Sequence, residues 1–237
     1  GYSNIETIIH AGAFTPKSSF EGNNIELSNS NIKNTATLIS SNFPNLKKII
    51  FLSTLDVYGT SIPITEKSHI DPNSLYGYSK YYCEKMITSW AKEKNITHQT
   101  LRLGHVYGPG EEDYEKIIPI TMQNLIKSEP LKMYGDGKSI RSFIYIRDAI
   151  DAIIRATQLK KSVGIINVVG EKQINIRDLI NKMITISGKE PQIQKVTSNN
   201  KNRNLIFDNT KMKEFLLSPK IDMEEGLKKE WDYMNNL

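Results

Sequence analysis

The sequence predicts an α/β fold with a mainly parallel sheet covered on both faces, and three observations predict it. Short apolar runs rich in β-branched residues alternate with longer stretches of helical periodicity. The runs are continuously apolar, the pattern of strands buried on both faces. Strands separated by helices imply crossover connections, which join parallel neighbours.

In chain order, Thr7-Ile8-Ile9-His10-Ala11 predicts a buried strand with small residues following it. Asn24 to Ser41 carries Ile25, Ile32, Leu38 and Ile39 at helical spacing. Lys48-Ile49-Ile50-Phe51-Leu52-Ser53 predicts a second strand. Tyr76 to Lys94, with no Gly or Pro after Gly77, predicts a long helix. Thr100-Leu101-Arg102-Leu103 predicts a third strand. The character changes after Tyr107, where Gly108-Pro109-Gly110 reads as a loop. A helix over 114–128, broken or started at Pro119, is followed by a strand over 131–134 and a turn at Gly135-Asp136-Gly137. A strand over 142–146, a helix over 147–159 and a strand over 164–169 come next. Asn175 caps a helix whose third residue is Asp178, and Asp222 with Glu225 forms a capping box opening the last helix. Asn199-Asn200-Lys201-Asn202 is the most loop-like stretch.

Composition removes several function classes. With 38% hydrophobic and 24% charged residues over 237 positions, the chain is no low-complexity disordered segment and can bury a core. No apolar run approaches the ~18 residues of a membrane span, and no signal-peptide pattern opens the chain. Cys83 is the only cysteine, so an intrachain disulfide and a Cys-rich zinc site are excluded and a reducing, cytoplasmic setting is expected. His10, His69, His98 and His105 lack metal-ligand spacing, so no metal is expected. The net charge of +5 is spread along the chain and forms no basic arm; on charge alone it suits nucleic acid and a small anionic substrate equally, and reads first as a solvated surface with a slight positive excess. There is no G-x-x-x-x-G-K-[ST] loop and no G-x-S-x-G elbow.

Tyr76-Gly77-Tyr78-Ser79-Lys80 is the most informative segment. Positions four apart on a helix share a face, so Tyr76 and Lys80 present a phenol and an ammonium to one place. A nearby cation favours phenolate and is expected to lower the Tyr76 pKa from ~10 toward neutral, making it a general acid or base. Taken alone, such a pair is ordinary on an amphipathic helix. Upstream, at a strand's end, stands Ser53-Thr54-Leu55-Asp56-Val57-Tyr58-Gly59, and strand ends are where open α/β sheets hold ligands.

With these segments the chain resembles the extended short-chain dehydrogenase/reductases of the NAD-dependent nucleotide-sugar epimerase/dehydratase type. Ile8-Ile9-His10-Ala11-Gly12-Ala13 resembles the family's strand and loop beside the cofactor, and Asn31-Ile32-Lys33-Asn34-Thr35 its Asn-centred helix motif. Leu101-Arg102-Leu103-Gly104-His105-Val106-Tyr107-Gly108-Pro109 resembles the stretch entering the substrate lobe. Gly135-Asp136-Gly137 through Arg141-Ser142-Phe143-Ile144-Tyr145-Ile146-Arg147-Asp148 resembles the strand whose arginine binds the substrate diphosphate.

The resemblance implies a Rossmann-type doubly wound parallel sheet, with residues 1–107 as the NAD-binding part and 108–237 mainly a smaller substrate lobe. Helix 147–159 and strand 164–169 would return to the first part. It implies NAD-dependent epimerisation of a nucleotide-diphosphate sugar, at C4, by a homodimer, with NADP open as the other cofactor. Thr54, Tyr76 and Lys80 would be catalytic: Tyr76 exchanging a proton with a sugar hydroxyl while hydride passes to nicotinamide, Lys80 lowering its pKa and binding the nicotinamide ribose, Thr54 orienting the hydroxyl. His10, Ala11, Gly12, Ala13, Asn31 and Leu103, with Tyr76 and Lys80, would hold the cofactor. Thr54, His105, Arg141 and Arg203 would hold the substrate.

Four departures qualify these expectations. No glycine-rich strand–turn–helix opens the chain, so one or more βαβ units of ~30 residues are expected upstream, and the 237 residues alone are expected to bind NAD poorly. His105 stands where the family carries Asn; it can donate similarly but is larger and titrates. Leu55 and Asp56 follow Thr54 where 4,6-dehydratases carry Asp and Glu, which argues against dehydration. Arg203 is spaced imperfectly from Asp208. A nucleotide-sugar reductase or decarboxylase, or a non-catalytic sugar-nucleotide-binding fragment, are the other readings.

Overall fold

The computed structural model describes residues 2–59, 62–197 and 204–237. Along the chain run β1 (Thr7–His10), α1 (Ile25–Ser40), β2 (Lys48–Thr54), α2 (Leu75–Glu93), β3 (Thr97–Leu103), β4 (His105–Tyr107) and α3 (Ile117–Ile126). They are followed by β5 (Leu131–Tyr134), β6 (Ile140–Tyr145), α4 (Ile146–Gln158), β7 (Ile165–Val168), β8 (Gln173–Asn175), α5 (Ile176–Ser187), β9 (Ile193–Val196), α6 (Thr210–Phe215) and α7 (Met223–Met234).

β1, β2, β3 and β7 form one sheet in that order, and every pairing is parallel. Alternate residues of β2 serve its two faces. Ile49 and Phe51 join Cys83, Ile87, Trp90 and Ala91 of α2 in one core, whereas Ile50 joins Ala149, Ala152 and Ala156 of α4 in another. Both faces are thus covered, and continuous apolar strands follow from that. Among the described residues β1 and β7 are the outer strands of this sheet.

After Gly104 the chain leaves this sheet. A Cβ at Gly104 would stand 2.9 Å from Val169 Cγ1 and 3.0 Å from Leu55 Cδ1, so the glycine lets these side chains close over the crossing. β4 then pairs parallel with β6, which pairs antiparallel with β8, and β5 pairs parallel with β9. A third core, including Tyr107, Met122, Leu125, Leu131, Phe143, Leu179 and Leu227, gathers α3, α5 and α7 against these strands.

Several elements differ from the sequence expectation. β3 begins three residues early, at Thr97, because polar Thr97, His98 and Gln99 extend the parallel ladder opposite Lys48, Ile49 and Ile50. α3 is shorter than the expected 114–128 and starts two residues before Pro119, a first-turn position that tolerates proline. β4, β8, β9 and α6 have no counterpart in the sequence reading. All are short, and β9 (Ile-Gln-Lys-Val) is a strand only because β5 supplies its partner. The stretch 199–202 lies outside the described residues. Among the described residues no helix is long and apolar enough to cross a membrane.

Candidate active site

The C-terminal ends of β2 and β3 open onto a cleft of about 290 Å³. Thr54 is the last residue of β2 and lines it. Its hydroxyl accepts a hydrogen bond from the Asp56 N–H and donates one to Asp56 Oδ2, both at 3.2 Å, which closes the short turn over 55–57. α2 approaches from the side. Ser74 caps it, its Oγ accepting from Gly77 N at 3.1 Å. A Cβ at Gly77 would fall 2.7 Å from Asp56 O, so glycine lets the first helical turn close against the 55–57 turn. Tyr76 and, one turn on, Lys80 are thereby brought to the cleft wall, although both are buried.

Electrostatics correct one expectation. The Tyr76 phenol is not lowered toward neutral: burial, and then the Asp56 carboxylate, push it up to about 12, while the Thr54 and Thr15 hydroxyls pull the other way. Lys80 is itself pushed down to about 8 by burial, with Cys83 and Glu84 opposing. Its ammonium stands 4.4 Å from the centre of the Phe51 ring and makes no hydrogen bond to a described side chain. Lys80 is not among the groups that shift the phenol, and desolvation controls it. In this state the cleft holds a protonated phenol beside an ammonium.

His105 opens β4 and also lines the cleft. Its Nδ1 lies 3.3 Å from Ser142 O, so a neutral ring donates there and its Nε2 is an acceptor. Burial pushes this imidazole well down, opposed by Asp56, so the ring is neutral at pH 7. An Asn-like donor is therefore not what His105 offers. Leu103, Ala11 and Ala13 complete the sequence-derived residues that meet here.

The sequence model of the NAD dependent epimerase/dehydratase family matches residues 2–170. The chain belongs to that family. It is 28% identical over 241 residues to a trifunctional UDP-glucose 4,6-dehydratase/UDP-4-keto-6-deoxy-D-glucose 3,5-epimerase/UDP-4-keto-L-rhamnose-reductase of Arabidopsis thaliana, covering 97% of this chain and 36% of that protein. The chain thus spans about a third of the length of that relative. It is 28% identical to the UDP-N-acetyl-alpha-D-glucosaminuronate decarboxylase of Bacillus cytotoxicus, with 94% of this chain and 74% of that protein covered. Among solved structures, the UDP-glucose 4-epimerase of Thermotoga maritima with UDP-glucose superposes with a TM-score of 0.87 at 27% identity, covering 98% of this chain and 77% of that one. The UDP-glucuronic acid 4-epimerase of Bacillus cereus in complex with NAD gives 0.86 at 28%, covering 98% and 75%.

Other expected site residues of this epimerase/dehydratase family member lie elsewhere. His10 does not line the cleft: it is buried beside α1, Nε2 3.0 Å from Thr35 Oγ1, and burial pushes it down to about 4. Asn31 spends its amide on structure, accepting from Phe14 N at 2.7 Å and donating to Ser79 Oγ at 3.1 Å, which pins the loop after β1 to α2. Gly12 is absent from the lining too, and a Cβ there would meet nothing within 4 Å. Arg141 lines a separate, open cavity of about 1100 Å³ with Asn73, Met133 and Tyr134. Arg203 lies outside the described residues.

The sequence reading missed Thr15, Tyr58, Lys116 and Phe207, all of which line the cleft. Lys116 is the N-cap residue of α3, its Nζ 3.4 Å from Glu111 Oε2 and 4.5 Å from the Tyr114 ring centre. A single lysine among 31 Lys and Arg residues carries no sequence signal. Asp56, read as structural, does serve Thr54 but is exposed at the same wall.

Proposed function

We propose that this protein epimerises a nucleotide-diphosphate sugar at C4 with NAD as cofactor. The observation that carries the reading is the convergence of Thr54, Tyr76 and Lys80 on one cleft at the C-terminal ends of parallel strands. The residues present fit the nicotinamide end of the cofactor. Ala11 and Ala13 leave room for close approach beside the sheet, and the buried Lys80 ammonium lines the cleft. When bound, NAD supplies reversible two-electron oxidation of the sugar carbon. The protein's own part is proton handling: Tyr76 exchanges its proton with the sugar hydroxyl, Thr54 orients that hydroxyl, and Lys80 stabilises the phenolate once Tyr76 has given its proton up. With its pKa pushed up to about 12 the phenol is protonated at neutral pH, so it gives up that proton before it takes one from the sugar hydroxyl.

Arg141, in its separate cavity, is proposed to pair with the substrate diphosphate, with Arg203 as a second candidate. His105 is proposed to accept a hydrogen bond from a sugar hydroxyl. Leu55 after Thr54 is buried and apolar, which speaks against a dehydratase acid at that position. Residues 1–107, with α4 and β7, are proposed as the cofactor part, and most of 108–237 as the substrate lobe. Exposed Ile25, Leu75, Tyr78 and Tyr82 on α1 and α2 are proposed as a homodimer face. A cytoplasmic location goes with the buried free thiol of Cys83. Decarboxylation is the second reading, favoured by the similarity to the Bacillus cytotoxicus protein.

The test uses the protein expressed from its full reading frame. Denaturation is expected to release NAD(H), and incubation with UDP-glucose, UDP-galactose, UDP-glucuronate and their epimers is expected to interconvert one pair. Tyr76→Phe is expected to lower that turnover by roughly 10²–10⁴-fold. No released dinucleotide, together with unchanged turnover in Tyr76→Phe, sinks the reading; carbon dioxide release from a uronate selects decarboxylation instead.

A further inference from the structure

Behind the cleft lies a buried ionic cluster that the proposed chemistry does not use. Arg102 of β3 grips Glu84 of α2 with a two-pronged fork, Nε to Oε1 at 2.9 Å and Nη2 to Oε2 at 2.7 Å. The side chains are 1% and 4% exposed. Ser53 Oγ donates to the same Glu84 Oε1 at 2.6 Å. Ser53, Arg102 and Asn167 are direct register partners across β2, β3 and β7, so they stand in one row on one face of the sheet. The Arg102 guanidinium lies 4.6 Å from the centre of the Tyr58 ring, and Tyr58 OH donates to Asn167 Oδ1 at 2.7 Å, which holds the fork from its other side.

We infer that Glu84, Arg102 and Ser53 form a positioning clamp that sets where Tyr76 and Lys80 stand relative to Thr54. Tyr76, Lys80 and Glu84 follow one another at successive helical turns on the buried face of α2. Ser53 is the residue before Thr54. Fixing Glu84 to Ser53 and Arg102 therefore fixes the helix register against the strand that carries the threonine. Apolar burial between α2 and the sheet fixes this less sharply, because the hydrophobic driving force is non-directional. A charge-assisted fork is directional. A buried pair of this kind is a poor source of net stability, which leaves geometry as its use.

The inference rests on the epimerase reading, and the test separates the two. Glu84→Leu/Arg102→Met replaces the pair by apolar side chains of similar volume. It is expected to unfold within a few degrees of the parent yet lose about 100-fold in kcat, with KM changed less than about 3-fold. Arg102→Lys, which keeps the charge and gives up the fork, is expected to fold, to lose about 10-fold in kcat and to leave KM unchanged. A purely structural pair predicts the opposite: full kcat per folded molecule in both variants, and that result overturns the clamp. Should the apolar pair not fold, Arg102→Lys decides alone. Tyr76→Phe is assayed in parallel. If it is inactive while the folded clamp variants keep full kcat, only the clamp fails; if it keeps full turnover, the epimerase reading fails first.

Discussion

Arg102 and Glu84 lie against the four-stranded sheet as a fully buried pair joined by two hydrogen bonds. Glu230, in α7, is just as buried, and neither of its carboxylate oxygens hydrogen-bonds to a described residue. Glu111 Oε1 and Glu112 Oε2 close by are also without partners among the described residues. The contrast shows what decides the ionisation of a buried carboxylate. Where a guanidinium forks onto it, both carboxylate oxygens of the buried group are hydrogen-bonded. Where no cation pairs with it among the described residues, burial first and then Glu111 and Glu112 push Glu230 up to about 7. Glu111 is likewise pushed up to about 7 by burial, against the pull of Lys116.

Breaking the paired cluster from one side has the largest expected effect. Arg102→Met alone strands Glu84 as an uncompensated buried charge and should cost about 3–5 kcal/mol in urea unfolding at pH 7. A loss under ~1 kcal/mol would show that the fork contributes little, and the contrast with α7 would disappear.

The unpaired cluster should respond to pH instead. The folded pKa values of Glu111 and Glu230 stand above the ordinary glutamate value, so the folded state binds more protons than the unfolded chain between about 4.5 and about 7. Stability is therefore fully present below the lower value, is lost as pH rises through about 7, and levels off above it. The loss should be on the order of 3 kcal/mol per group between pH 4.5 and 8. Glu230→Gln should remove roughly half of that slope and be more stable than the parent at pH 8, read from urea midpoints. A parent with flat stability across this range contradicts the assignment.

The smallest effect sharpens the comparison by probing α7 without touching its buried charge. Asp222 Oδ1 accepts from Glu225 N at 2.9 Å and caps the helix. Asp222→Ala should cost about 1 kcal/mol in thermal unfolding, with the pH slope unchanged. A change in that slope would mean that the cap and Glu230 are coupled.

Much of the fold was legible because it is written in local patterns. α1 and α2 were read to within a residue or two, since apolar spacing and the absence of Gly and Pro act over one or two turns. Asn175 and Asp222 were read as caps, and both side chains do cap, because capping is a three-residue event. The expected capping box is met on the Asp222 side, while Glu225 pairs with Lys229 at 2.8 Å. Helical spacing put Tyr76 and Lys80 on one face and the family resemblance singled out Thr54, and all three line the cleft. Thr15, Lys116 and Phe207 could not be found, since each reaches the cleft from a segment remote in sequence and carries no local pattern.

Residue order alone was enough to state that parallel strands alternate with helices, and that a tyrosine and a lysine share a helical face near a threonine. It could not say what the phenol's environment would be. One helical turn of separation brings a cation near, but whether that cation or desolvation controls the proton depends on how much water the packed cleft retains. Folding buries Tyr76 in the first turn of α2 with Asp56 near it, and burial prevails. His10 and Asn31 tell the same story: as sequence they belong to cofactor motifs, and in the assembled protein Thr35, Phe14 and Ser79 claim their polar atoms first. Hydrogen-bond partners are assigned in three dimensions, because a buried polar group must be satisfied by whatever the fold brings within reach.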